Sequence, residues 1–426
     1  MRLSSCFLPG GPAALSLLVF AGCGGDEAGP VGPESPADLL GGGGSPSGPQ
    51  YIAIMNTANP GRAVMDHGGT LLVNLDEDEL ILFTSPEGMT PLLGDERFEF
   101  VQENTVYNAS DVINMMVGFV ETGVDIAQLV PGFNPINDPT GTPNHLDCLE
   151  LDEVHQLADG SGTRIAIIDT GVDRFHPDLL GHCEFVENPD LLEVHEGQPN
   201  GMDDDADGLT DEGYGHGTFM AGVMARIAPG ATLIPLAAFN DDGAGSAFQI
   251  AVALGEASRT QADIVNLSFR LDSQAAVLQS LLERLKGEGI TLIAAGGNTV
   301  GGSAAFPGSD ANTIGVAATQ DCGRAIADFS AQDGGSLQFA AVGQQIVAPY
   351  PGLTPGQARY AFAHGTSTAA AVASGSFAVV LSSNPIFFGD PENLAKMMRI
   401  TSAPVSPASA VAYGMIDLHA ALGIAP

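Results

Sequence analysis

From about residue 140 onward, short apolar runs alternate with stretches of helical period, and this alternation constrains the fold more than any other feature of the chain. The runs are Arg164-Ile-Ala-Ile-Ile, Ala231-Thr-Leu-Ile-Pro-Leu, Ala262-Asp-Ile-Val-Asn-Leu and Gly289-Ile-Thr-Leu-Ile-Ala-Ala. Their apolar residues are largely consecutive, as in strands buried on both faces. Residues 249–259 and 274–286 carry the helical period between them. Strand and helix in repetition predict an α/β domain, in which a parallel sheet forms the middle of three layers. Reactive groups in such folds collect beyond the carboxyl ends of the strands.

Three segments place polar side chains at such ends. In Ile165-Ala-Ile-Ile-Asp169-Thr-Gly-Val a carboxylate closes an apolar strand, and Thr170 and Gly171 turn the chain at once. In Gly215-His216-Gly-Thr-Phe-Met-Ala-Gly222 the glycines let a helix begin close against a neighbour, with His216 at its start. In His364-Gly365-Thr366-Ser367-Thr-Ala-Ala the serine stands at a helix N-terminus, where free amides and the helix dipole favour negative charge. Taken singly, each has a bland reading: a helix cap, a structural histidine, another cap. Taken together, they supply the three side chains of an acyl-transfer triad.

Asp, His and Ser in that chain order, in Asp-Thr-Gly, His-Gly-Thr and Gly-Thr-Ser segments, resemble the signatures of the subtilisin-like serine proteases, the subtilase or peptidase S8 family. Leu292-Ile-Ala-Ala-Gly-Gly-Asn298 resembles the segment that carries the family's oxyanion-hole asparagine. Phe306-Pro-Gly, Ala327-Asp-Phe-Ser330, Val347-Ala-Pro349 and Gly414-Met-Ile-Asp-Leu follow in the family's order. The likeness covers roughly residues 140–426 and implies a subtilisin-like peptidase domain. It implies Ser367 as nucleophile, His216 as base, Asp169 as its orienting carboxylate, Asn298 as oxyanion donor, and protein or peptide substrates. It also implies a substrate edge at Ser268, Phe269 and Arg270. Arg270 stands where the family has glycine, so it either narrows the groove or selects acidic side chains. Ala371 stands where the family has proline, and the short run from Gly222 to Pro229 omits a loop in which relatives often hold calcium. A catalytically silent, peptide-binding domain of the same fold is the alternative reading. A lipase is not supported, because Ser367 lacks the Gly-x-Ser-x-Gly elbow.

Residues 1–23 combine Arg2 with a short apolar stretch and end in Phe20-Ala21-Gly22-Cys23, which resembles a bacterial lipoprotein cleavage box with Cys23 as the lipidated residue. An ordinary secretory signal is the alternative, and either one implies export. Residues 24–50 are rich in Gly, Pro and Ser and read as a flexible tether. Residues 51–135 hold strand-like runs at Tyr51-Ile-Ala-Ile-Met, Thr70-Leu-Leu-Val-Asn and 80–83, with a helix expected over 111–126. They read as a small α+β domain, either a propeptide or a permanent structural part.

The formal net charge of -37 excludes nucleic acid as a partner, because phosphates are repelled. It suits a solubilising surface, and in part calcium binding. Asn200-Gly-Met-Asp203-Asp-Asp205-Ala-Asp207-Gly208-Leu-Thr-Asp211 resembles the start of an EF-hand loop. Asp203, Asp205, Asp207 and Asp211 are the expected ligands of a structural Ca2+, against the alternative of a solvated acidic loop. Chemistry at Ser367 requires no cofactor. Outside the leader are Cys148, Cys183 and Cys322, enough for one disulfide whose pairing is open. The sequence carries no signal of oligomeric state.

Overall fold

The sheet forms where the apolar runs predict it. The computed structural model describes residues 49–75, 79–108, 118–120, 144–188, 191–192, 199, 201–202, 210–271, 273–352 and 354–425. All belong to one compact unit, Ser35–Pro426. The N-terminal part comprises β1 (Gln50–Met55), α1 (Pro60–Asp66), β2 (Thr70–Leu75), β3 (Leu80–Thr84), β4 (Phe98–Glu103), β5 (Val106–Asn108) and β6 (Gly118–Val120). Then come α2 (Leu151–Val154), β7 (Arg164–Asp169), α3 (His216–Ile227), β8 (Thr232–Ala237), β9 (Ala244–Ser246), α4 (Ala247–Arg259), β10 (Ile264–Leu267), α5 (Ala276–Gly287) and β11 (Thr291–Ala295). The chain continues through β12 (Ile314–Thr319), β13 (Leu337–Val342), β14 (Ile346–Tyr350), β15 (Arg359–Ala363), α6 (Thr366–Ser383), α7 (Pro391–Thr401), β16 (Gly414–Met415) and α8 (Leu418–Leu422).

Seven strands make the central sheet in the order β16-β13-β12-β11-β10-β7-β8, every pair parallel. Side chains alternate between two cores. Ile165, Ile167, Ile264 and Ile293 face the core built with α3 and α6, whereas Ala166, Ile168, Val265 and Leu292 face the one built with α4 and α5. Full burial of each Ile or Leu contributes about 1.5–3 kcal/mol, so a one-residue slip of register is strongly disfavoured. Pro235, which cannot donate to a ladder, lies in β8 at the edge of the sheet. The strand order reverses between β7 and β10, which opens a crevice beyond their carboxyl ends. Helix α6 is apolar and long enough to cross a membrane, but 89% of it is buried, so it is a core helix.

The N-terminal strands form a separate antiparallel sheet in the order β2-β3-β1-β4. Ile52, Ile54, Leu80 and Leu82 pack into the core of α4 and α5, while Ala53, Ile81 and Phe83 turn toward Ala63 and Val64 of α1. Beyond this apolar contact, β4 and the residues after it accept from amides at two helix starts, which have no partner within their own helix. Thr105 O accepts from Ala247 N (2.9 Å) and Asn104 Oδ1 from Phe248 N (3.0 Å) at the start of α4. Gln102 Oε1 accepts from Val277 N (2.8 Å) in the first turn of α5, whose own N-cap side chain makes no such bond. Most of the helix expected over 111–126 lies outside the described residues. Its described piece, Gly118–Val120, is instead a strand. The free edge of β15 offers it backbone partners, with Phe119 opposite Ala361, and this outweighs local helical preference.

Cys148 and Cys322 form the disulfide, with Cα atoms 5.9 Å apart across 174 residues of sequence. Closing so long a loop stabilises the fold by roughly 5 kcal/mol in the chain-entropy account. Cys183 remains a thiol, and burial pushes its pKa up to about 12, so it is protonated and unreactive at neutral pH.

Candidate active site

Asp169 ends β7 and His216 begins α3. His216 Nδ1 lies 2.7 Å from Asp169 Oδ1, with side chains only 2% and 3% exposed. The same oxygen accepts from Thr170 N at 2.8 Å, which fixes the carboxylate. Two reciprocal bonds hold the Asp-Thr-Gly and His-Gly-Thr segments together: Gly217 N donates to Thr170 Oγ1 (3.1 Å) and Asp173 N to Thr218 Oγ1 (2.8 Å). Glycine is required at 217, where a Cβ would stand 2.0 Å from Gly171 O. The threonines of both segments are thus clasps, and they set the distance between acid and base.

Ser367 is fully buried in the first turn of α6. Its carbonyl accepts from Ser268 Oγ (2.9 Å), which accepts from Asn266 Nδ2 (2.8 Å), whose Oδ1 accepts from Ser374 Oγ (3.0 Å). This buried chain ties the helix start to the end of β10. Asn298 Oδ1 accepts from Thr366 N and Thr366 Oγ1, both at 2.9 Å. Its carbonyl oxygen therefore turns to Thr366, and the amide turns the other way. A Cβ on Gly365 would stand 2.8 Å from Ser367 Oγ and 3.6 Å from Asn298 Nδ2, so the hydroxyl and the amide flank one small space beside that glycine.

The buried side-chain atoms without a hydrogen-bond partner among the described residues include three at this site: Asp169 Oδ2, His216 Nε2 and Ser367 Oγ. A buried polar atom without a partner is costly, and such atoms gather where a ligand supplies one. Three residues before the serine, His364 Nδ1 accepts from Gln345 N (2.8 Å), a role open only to the neutral ring. Burial first, and then nearby His145, hold the pKa of His364 below the ordinary histidine value, in keeping with that role.

The expected substrate edge divides by function. Ser268 is buried and bonds the Ser367 carbonyl. Phe269 is also buried, its ring 4.8 Å from that of Phe239. Arg270 is half-buried, with its Cδ 3.8 Å from where a Gly297 Cβ would be. Strand β5 pairs antiparallel with β9, Tyr107 opposite Gly245, and the Tyr107 side chain is buried in the α4 and α5 core. Burial raises the Tyr107 pKa above its usual value, partly countered by a hydrogen bond to Ser273.

Of the expected calcium ligands, Asp203, Asp205 and Asp207 lie outside the described residues, as does Cys23. Asp211 is described: both carboxylate oxygens accept from Gly201 N (3.1 and 3.0 Å), and its own amide donates to Asp242 Oδ1 (2.5 Å). Asp242 is fully buried and was not legible as part of this loop. It lies 31 positions beyond Asp211, with no local signature to link them.

The sequence profile of the subtilase family, peptidase S8, matches residues 160–416. Subtilisin Savinase of Lederbergia lenta is 30% identical over 273 residues, covering 62% of this chain and 91% of that protein. An alkaline protease of Alkalihalobacillus alcalophilus is equally similar, but this chain spans just 64% of its length. The crystal structure of fervidolysin from Fervidobacterium pennivorans, a keratinolytic enzyme related to subtilisin, matches with a TM-score of 0.68 at 20% identity. That match covers 61% of fervidolysin and 89% of this chain, more than residues 144–426 alone can supply, so the shared fold extends into the N-terminal sheet. With a profile match across more than half its length, the chain belongs to the subtilase family of serine endopeptidases.

Proposed function

We propose that Ser367, His216 and Asp169 cleave peptide bonds through an acyl-enzyme on Ser367. The observation that carries this reading is the buried His216–Asp169 pair at 2.7 Å, together with the unpartnered His216 Nε2 and Ser367 Oγ. Ser367 Oγ attacks the substrate carbonyl carbon as its proton passes to His216 Nε2. Asp169 holds Nδ1–H, fixes the tautomer and stabilises the imidazolium. The carbonyl oxygen becomes an oxyanion, bound by the Ser367 amide and Asn298 Nδ2. The C–N bond then breaks, and the amine leaves with the proton from His216. Water repeats the sequence to free Ser367. Replacing Asn298 by alanine is expected to lower kcat about 100- to 1000-fold with KM nearly unchanged. A kcat within a few-fold of the parent's would remove Asn298 from the oxyanion site.

Residues 49–108 act, in this reading, as a propeptide. Their support is the edge-strand pairing of β5 on β9, the mode by which extended peptides add to sheets, and the capping of α4 and α5 by Asn104 and Gln102. Arg270, whose Cδ lies 3.8 Å from where a Gly297 Cβ would be, either narrows the groove or selects acidic side chains. The protein is exported and anchored through a lipid on Cys23. Labelling of cells with a fatty-acid analogue is expected to mark the protein, and Cys23→Ala to abolish the mark. An unlabelled parent protein rules the anchor out.

Calcium fits the acidic loop. Gly201 N donates to the Asp211 carboxylate, Asp211 N donates to the buried Asp242, and the acidic side chains of this sequence segment are hard oxygen donors. Asp203, Asp205, Asp207 and Asp211 would hold the ion, which would supply charge balance and loop rigidity. Chelation is expected to lower Tm by several degrees, reversed by added calcium, as loss of a ligand of the folded state requires. A Tm indifferent to chelator leaves the loop a solvated surface.

A further inference from the structure

The chain contains two lysines, Lys286 and Lys396, and both line one cavity of about 310 Å3. Arg399 lines it too. The cavity lies between the end of α5 and helix α7, beside the amino ends of β11, β12 and β13. It is therefore at the opposite end of the sheet from Ser367, whose neighbour Asn298 follows the carboxyl end of β11.

Cations are scarce here, 14 against 51 acidic residues. Several of them elsewhere are held by carboxylates: Arg62 with Asp66, Arg97 with Asp95, Arg164 with Glu184, Arg226 with Asp147, Arg259 with Glu256 and Arg284 with Glu288. The three around the cavity have no such ion pair among the described residues. Lys286 Nζ donates to Ala311 O (3.0 Å), and the Arg399 guanidinium lies 4.7 Å over the Tyr413 ring. Glu392 is the one acidic side chain in the lining, so the walls carry net positive charge. Gathering like charges around one partly enclosed space costs repulsion, which a bound anion relieves. Between the cations the accessible apolar surface comes from Ile314, Ala395 and Tyr413, beside the polar Asn312 and Gln338. A bare inorganic anion would leave that surface wet. A guanidinium stacked on an aromatic ring presents its fork in a fixed plane, which suits a carboxylate.

We propose that this cavity binds an organic carboxylate with an apolar body, the carboxylate on Lys396 and Arg399 and the body against Ile314 and Tyr413. The carboxylate comes either from a free acid or from the C-terminus of a peptide. Neither source involves the residues around Ser367, so the site stands apart from the peptidase reading.

The test is calorimetric titration of the full chain carrying Ser367→Ala, so that peptide probes survive. The probes are 3-phenylpropionate, its amide, and acetyl-Ala-Ala-Phe with a free or an amidated C-terminus. At least one carboxylate is expected to bind about tenfold tighter than its amide, and tenfold weaker after Lys396→Gln with Arg399→Gln, as loss of a charge-assisted hydrogen bond implies. Both positions are exposed, and an unchanged Tm would show the variant folded. In the unsubstituted cavity, affinity should fall as salt rises to about 0.5 M. Binding of the free acid alone, or of the peptide alone, identifies the source. Equal binding of acid and amide, no heat from any probe up to about 10 mM, or affinity indifferent to salt overturns the proposal.

Discussion

Ser367→Ala is expected to abolish labelling by a fluorophosphonate probe and to lower peptide hydrolysis by about a million-fold, the size of the effect measured for the nucleophile of subtilisin. The substitution removes one oxygen from a fully buried position whose hydroxyl makes no hydrogen bond, so little stability should be lost with it. The expected result is thus an inactive protein with an unchanged Tm. A second consequence concerns the N-terminal sheet. If residues 49–108 are a propeptide released by the chain's own Ser367, the parent protein separates between 108 and 144 and the variant stays full length. Mass spectrometry of both proteins reads this directly. Labelling that survives the substitution would place the reactive serine elsewhere. Full activity from a chain that retains residues 49–108 would make that sheet a permanent part of the fold.

Asp169→Asn should cost about 10,000-fold in kcat, as the same exchange does in another Ser-His-Asp protease. The exchange is nearly isosteric, and because Thr170 N and His216 Nδ1 both meet Oδ1, an amide oxygen there keeps both contacts whereas an NH2 there gives up the Thr170 bond. Charge and tautomer change instead. An amide beside His216 Nδ1 cannot stabilise the imidazolium as a carboxylate does. Where its NH2 faces the ring, Nδ1 must accept, and the proton moves to Nε2. That nitrogen then cannot take the proton of Ser367. Rates of peptide hydrolysis and of fluorophosphonate labelling should fall together, while the circular dichroism stays that of the parent. A loss below about tenfold would mean that Asp169 positions the ring without contributing its charge.

Much of this was legible in the sequence, for physical reasons that are local. The apolar runs at 164–168 and 289–295 exclude water on both faces wherever they go, so a central parallel sheet is their one stable setting. The turn after Asp169, the glycines around His216 and the small residues after Ser367 constrain backbone within a few positions of themselves. They announced strand end and helix starts correctly. The three strands expected before residue 84 likewise followed from consecutive apolar side chains.

What the sequence could not determine depends on partners far along the chain. Phe119 and Val120 are compatible with a strand locally, but the pairing with β15, some 240 residues later, decides it. The three body cysteines were equivalent until folding put Cys148 within 5.9 Å of Cys322, Cα to Cα, and buried Cys183. Nothing near Gln102 or Asn104 suggests a helix cap, because the amides they accept from belong to residues 277 and 248. That the Phe269 ring packs against Phe239 was likewise not written near it in the sequence. The two lysines are 110 positions apart, and only the packing of α7 beside the end of α5 brings them around one cavity. Periodicity and turn chemistry act over a few residues and are written in order along the chain. Pairing, capping and cavities are set by which surfaces meet, and that is decided by the burial of the whole core at once.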